Sequence, residues 1–132
     1  MKKPTRVPRI LIVDEQVPMA VAHEFVLRRN LTCQVVRASD GASAGALLAG
    51  GDFDVILSDV RMPQVGGIAL LQWLRVQRPE LVRRVVFLTV DPTNVEAIMI
   101  ANARVHSVLR KPCAAEALLK AVSDVLEQGE DE

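Results

Sequence analysis

The sequence predicts an α/β domain: a doubly wound, five-stranded parallel sheet with helices on both faces. Two patterns carry that expectation. Five short runs rich in branched aliphatic residues alternate with longer helix-like segments, and several of those runs end on a carboxylate, a hydroxyl or an ammonium group. Strict strand–helix alternation gives parallel pairing, because each crossover helix lies back on the sheet through a right-handed connection.

The strand candidates are Arg9 to Val13, Cys33 to Arg37, Asp54 to Ser58, Arg84 to Leu88 and His106 to Leu109. Between the first two, Pro18 opens a helix, where its missing N–H is harmless. Ala22, Phe25, Val26 and Arg29 continue the helical period toward a stop at Asn30. Gly41 begins a helix of small residues, Ala42, Ala44, Ala46, Leu47 and Leu48, which Gly50 and Gly51 end. Gly67 precedes a third helix carrying Ile68, Leu71, Trp73 and Leu74 before Pro79. Val95 to Ala101 reads as a fourth, apolar on nearly every side, and Ala114 to Leu126 closes the chain with Leu118, Leu119, Val122 and Val125 on one face. For five such strands the flavodoxin-like order 2-1-3-4-5 comes from general knowledge of folds, and it puts the topological switch between strands one and three. The expected organisation is a basic tail over 1–8, one domain over 9–127 and an acidic tail over 128–132.

At 132 residues the chain is one domain with enough bulk for a proper core. Sixteen basic and sixteen acidic side chains cancel, which argues against nucleic acid or an anionic membrane as the main partner. No run approaches the ~18 apolar residues of a membrane span. Cys33 and Cys113 lie far apart with no Cys or His at ligand spacing, which argues against zinc; two free thiols without a signal sequence point to the cytoplasm. No second domain is expected after Leu126, hence no DNA-binding output from these residues.

In an open parallel sheet, ligands collect at the carboxyl ends of the strands. Asp14 and Glu15 follow the first strand, Asp59 the third, Thr89 the fourth and Lys111 the fifth. Three carboxylates gathered at one rim repel unless cations sit among them. Lys111 and one divalent ion close the charge balance, and hard oxygen ligands with room for water suit magnesium. A phosphoryl group could then be held by metal, ammonium and hydroxyl, with Asp59, on the central strand, as the nucleophile forming an acyl phosphate.

These motifs, ILIVDE (Ile10 to Glu15), DVILSDVRMPQVGG (Asp54 to Gly67), VVFLT (Val85 to Thr89) and LRKP (Leu109 to Pro112), resemble the receiver domain of bacterial two-component response regulators. The resemblance implies phosphorylation of Asp59 by a histidine kinase or phosphotransfer protein, and phosphoryl oxygens bound by Thr89 and Lys111. It implies magnesium on Glu15, Asp59 and the backbone carbonyl of Arg61, with Asp14 acting through water. It also implies a cis bond before Pro112, and a kinase seat on Pro18, Met19, Ala22, Pro112 and Cys113. Output would pass through protein contacts in a cytoplasmic signalling module that is a switch rather than an enzyme.

The chain departs from the family pattern in places. Glu15 is one methylene longer than the usual aspartate, which displaces the carboxylate by more than ~1 Å and predicts altered magnesium binding. Val90 replaces a small residue after Thr89 and predicts slow exchange with small phosphodonors. Val108 stands where an aromatic usually relays the signal, and Arg104 where a glycine usually follows the fourth helix. An exposed apolar strip on Val95 to Ala101 would be a docking or dimer surface. His23 and His106 read as bland residues outside the site, His23 on the helix surface. The alternative reading is a pseudo-receiver, a protein-binding module that works without phosphorylation. A flavin domain would want Ser and Thr after strand one, where Asp14, Glu15 and Gln16 stand. A dehalogenase-like phosphatase would need an aspartate at the position of Arg61, and no nucleotide-binding glycine motif is present.

Overall fold

The structure, a computed structural model, describes residues 7–61, 66–91 and 104–130. Five parallel strands, β1 (Arg9–Val13), β2 (Gln34–Ala38), β3 (Val55–Asp59), β4 (Val85–Thr89) and β5 (Ser107–Arg110), form one sheet in the order β2-β1-β3-β4-β5. The helices are α1 (Val17–Asn30), α2 (Gly41–Gly50), α3 (Gly67–Gln77) and α4 (Ala115–Glu130), with a short 3-10 helix at Pro79–Arg84 that the sequence reading did not anticipate. The expected doubly wound fold and strand order are therefore observed. The fourth expected helix, around Val95 to Ala101, falls outside the described residues.

Four strands begin and end one residue later than the sequence suggested. The bounds follow the ladder: pairing starts with Gln34 opposite Arg9, Val55 opposite Ile10, Val85 opposite Ile56 and Ser107 opposite Val86. Composition cannot resolve a one-residue slip. The shift matters because Asp59 and Thr89 become the last residues of their strands instead of the first loop residues.

Side chains alternate across the sheet and build two apolar layers. Leu11, Val13, Ile56, Val85 and Phe87 meet Ala44 and Leu48 of α2 and Leu70, Leu71 and Leu74 of α3. Ile10, Ile12, Val55, Leu57, Val86 and Leu88 meet Ala20 and Leu27 of α1 and Leu118, Ala121, Val122 and Val125 of α4. Pro lies in the first turn of α1 and the Asp40 carboxylate caps α2 by accepting from Ser43 N–H at 2.7 Å.

Three expectations need correction. The buried stripe of α1 is Ala20, His23 and Leu27, whereas Ala22, Phe25 and Arg29 of the periodic set are exposed and Val26 is only partly covered. Apolar residues occur on every side of this helix, so period alone does not choose the inward face. His23 is accordingly not a surface residue; it is 6% exposed. Finally, α4 continues through Glu130, so residues 128–130, assigned to an acidic tail, extend the helix.

Candidate functional site

The carboxyl rim of the sheet is assembled by register. Val13 pairs with Ser58 and Asp59 with Leu88, so Asp14 and Asp59 leave adjacent strands side by side. Lys111 N–H donates to Thr89 O at 2.8 Å, which fixes the start of the last loop against the end of β4. The expected cis peptide bond is present between Lys111 and Pro112.

Lys111 Nζ lies 3.1 Å from Asp59 Oδ2 and 3.6 Å from Asp14 Oδ2, so one ammonium bridges two carboxylates. Asp14 is 3% exposed and Asp59 9%. Asp14 Oδ1 accepts from Gln16 N–H at 2.9 Å, but its Oδ2 has no hydrogen-bond donor. Burial pushes the Asp59 carboxyl above its ordinary range, opposed by the bond from Lys111 and reinforced by the charge of Asp14. A carboxylate so placed is stabilised when a cation enters beside it. Thr89 is buried, and its Oγ1 accepts from Asp91 N–H at 3.2 Å, which leaves the hydroxyl proton available to another oxygen.

Of the expected residues, Asp14, Asp59, Thr89 and Lys111 thus converge. Glu15 is exposed to solvent, and among the described residues no three acidic, His or Cys side chains close into a ready-made metal cage. Arg61 stands two residues after Asp59, and its N–H lies 3.4 Å from Asp59 Oδ1. Val90 is exposed at the rim. Arg104 adopts φ of 65°, the left-handed conformation that a glycine takes without strain.

Two contributors escaped the sequence reading. Gly67 begins α3 so close beneath the site that a Cβ there would lie 2.6 Å from Asp59 O, 2.8 Å from the Phe87 ring and 2.9 Å from Val60 Cα. The signal was available as a glycine opening a helix, but it was read only as a boundary. His23 is the other. It is buried on the inward stripe of α1, and that burial lowers its pKa, offset in part by the charge of Asp14.

The family model for the response regulator receiver domain matches residues 10–123. The chain belongs to that family. It is 29% identical over 120 residues to the chemotaxis protein CheY of Pseudomonas aeruginosa, covering 91% of this chain and 97% of that protein. The chemotaxis protein CheY-3 of Vibrio cholerae is 30% identical over 120 residues, covering 91% of this chain and 92% of that one. Among solved structures, the signal receiver domain of an HD domain-containing protein from Pseudomonas fluorescens superposes with a TM-score of 0.85 at 29% identity, over 99% of this receiver and 95% of that chain. The receiver also matches the Escherichia coli transcriptional regulatory protein GlrR at 32% identity, but over only 21% of its length.

Proposed function

We propose that this receiver accepts a phosphoryl group on Asp59 from the phosphohistidine of a histidine kinase or phosphotransfer protein, and signals through protein contacts. The observation that carries this reading is the Asp59 carboxylate at the end of the central strand, 3.1 Å from Lys111 Nζ and beside Thr89. An Asp59 oxygen forms the new bond to phosphorus as the phosphorus–nitrogen bond breaks; the imidazole leaves with that electron pair, and an aspartyl phosphate results. Lys111 meets one phosphoryl oxygen with little movement, and the Thr89 hydroxyl donates to another.

The residues fit magnesium. Asp14 Oδ2 is an orphaned buried acceptor, and the donors are hard oxygens. Glu15, Asp59 and the Arg61 carbonyl would hold the ion directly and Asp14 through water; when bound it supplies neutralisation of charge on the transferring group.

The phosphodonor's seat is the rim-facing start of α1, where Pro18 and Ala22 are exposed and Met19 partly so, together with Pro112 and Cys113. Val17, Val21 and Phe25 extend it as an exposed apolar stripe at i, i+4, i+8. A homodimer or effector surface on Val95 to Ala101 lies outside the described residues. The receiver begins at residue 9 and runs to the end of α4, past the expected boundary at 127, and it works in the cytoplasm; no described helix is long and apolar enough to cross a membrane. Retention of Asp59, Thr89 and Lys111 disfavours the pseudo-receiver reading.

Incubation with acetyl phosphate and magnesium, followed by intact mass, tests the proposal. One added phosphoryl group is expected on the native chain and none on Asp59→Ala. No gain on the native chain, or an equal gain on the variant, would overturn it.

A further inference from the structure

Among the described residues the buried polar side chains are Asp14, His23, Ser58, Asp59 and Thr89, and Ser58 is the most deeply covered of them, at 0% exposed. It immediately precedes Asp59 on the central strand. The alternation that sends Leu57 toward α1 and α4, and Asp59 with it, sends Ile56, Ser58 and Val60 the other way, into the apolar layer under α2 and α3. There the register sets Ser58 between Val13 of β1 and Phe87 of β4. A methyl group would suit that layer better than a hydroxyl, which is costly inside it unless bonded. The Ser58 hydroxyl is bonded, and its partner is informative: Oγ donates to Asp59 O at 2.9 Å.

That bond is one of a set that pins the backbone at Asp59. The peptide unit joining Asp59 to Val60 is held at both ends, its oxygen by Ser58 Oγ and its N–H by Leu88 O at 3.0 Å. The next unit is held by Gly67, whose N–H donates to Val60 O at 2.9 Å. Gly67 also closes the space around the Asp59 oxygen, since a Cβ there would lie 2.6 Å from it. Rotation about the Asp59 Cα–C bond is therefore fixed, and with it the direction in which the side chain leaves the backbone toward Lys111 Nζ, 3.1 Å from Oδ2. We infer that Ser58 is a positioning residue for Asp59: its hydroxyl locks the Asp59 carbonyl, and thereby aims the Asp59 carboxylate and the backbone leading to Arg61 at the rim. A displacement of about 1 Å in a reacting group is enough to slow a reaction by about 100-fold. The consequence for phosphoryl uptake rests on Asp59 being the phosphoacceptor; the backbone lock does not.

Proton NMR of the native chain is the first test. The Ser58 hydroxyl proton should exchange slowly enough to be seen in water, and a hydroxyl signal lost to rapid exchange would overturn the proposal. The second test compares Ser58→Ala, which removes the donor, with Ser58→Thr, which keeps it. In Ser58→Ala the carbon-13 resonance of the Asp59 carbonyl should move upfield, and phosphoryl uptake from acetyl phosphate should slow about tenfold; Ser58→Thr should restore both. Urea unfolding separates this from a merely structural hydroxyl, whose removal would lower stability and leave uptake by the folded chain unchanged. Native uptake in a folded Ser58→Ala chain, or a Ser58→Thr chain as slow as Ser58→Ala, would reduce Ser58 to a packing residue. Should the native chain take up no phosphoryl group, the Asp59 reading fails, and hydroxyl exchange and the carbonyl resonance still decide whether Ser58 holds that carbonyl.

Discussion

The two rims of this sheet treat their charged side chains in opposite ways. At the amino rim the guanidinium groups end on backbone carbonyls: Arg78 donates to Leu48 O and Gly51 O, Arg84 to Phe53 O, and Arg9 to Asp52 O while stacking over the Phe53 ring at 4.5 Å. Carboxylates then close the outside, Glu80 on Arg78 and Asp52 on Arg78 and Arg84. At the carboxyl rim two carboxylates share one ammonium, and Asp14 Oδ2 has that ion pair but no hydrogen-bond donor. A rim whose polar groups are satisfied contributes stability. A rim whose charges are crowded and desolvated costs stability and stays responsive to an incoming ion or anion.

If that contrast holds, substitutions at the two rims should separate activity from stability. The largest effect is expected from Lys111→Ala, which should slow phosphoryl uptake by about 100-fold in a small-phosphodonor assay; an unchanged rate would remove Lys111 from the site. Next comes Arg78→Ala at the opposite rim. It strands the carbonyls at the end of α2 and should cost about 2 kcal/mol in urea unfolding, with phosphoryl uptake preserved. Loss of uptake at retained stability would erase the distinction between the rims.

The smallest effect sharpens the comparison through pH. The Asp59 carboxyl titrates above its ordinary value because it is buried beside Asp14. An unfolded chain therefore gives up that proton more readily than the folded one, and folding is weakened as pH rises from the usual carboxylate range through the folded value. Asp59→Asn should thus raise stability by about 1 kcal/mol at neutral pH, with the gain disappearing in acid, below about pH 4. Thermal melts across pH would show it, and a variant less stable than native at neutral pH would contradict the view of a strained rim.

How far the sequence reaches is visible in particular residues. Asp14, Asp59, Thr89 and Lys111 could be found because each ends an apolar run, and strand ends in a parallel sheet meet at one edge whatever the details of packing. Glu15 shared that signal but lies exposed, since the residue after Asp14 begins a loop whose direction no periodicity fixes. His23 was misplaced for a related reason. A lone histidine on a helix with apolar residues all round has no preferred face until a second helix and a sheet close over one of them. Gly67 looked like a boundary and proved to be a contact, because only the fold brings Phe87 and the end of β3 against it.

Element order, chirality of the crossovers and the chemistry at the strand ends were determined by the chain alone, through local pattern and the few ways a parallel sheet can be covered. Tertiary structure decided the rest: the one-residue register of four strands, the inward stripe of α1, and the burial of His23 on it. Those depend on which groups each backbone and side chain meets across the sheet, and such meetings are set by distant segments packing together rather than by any stretch of sequence read by itself.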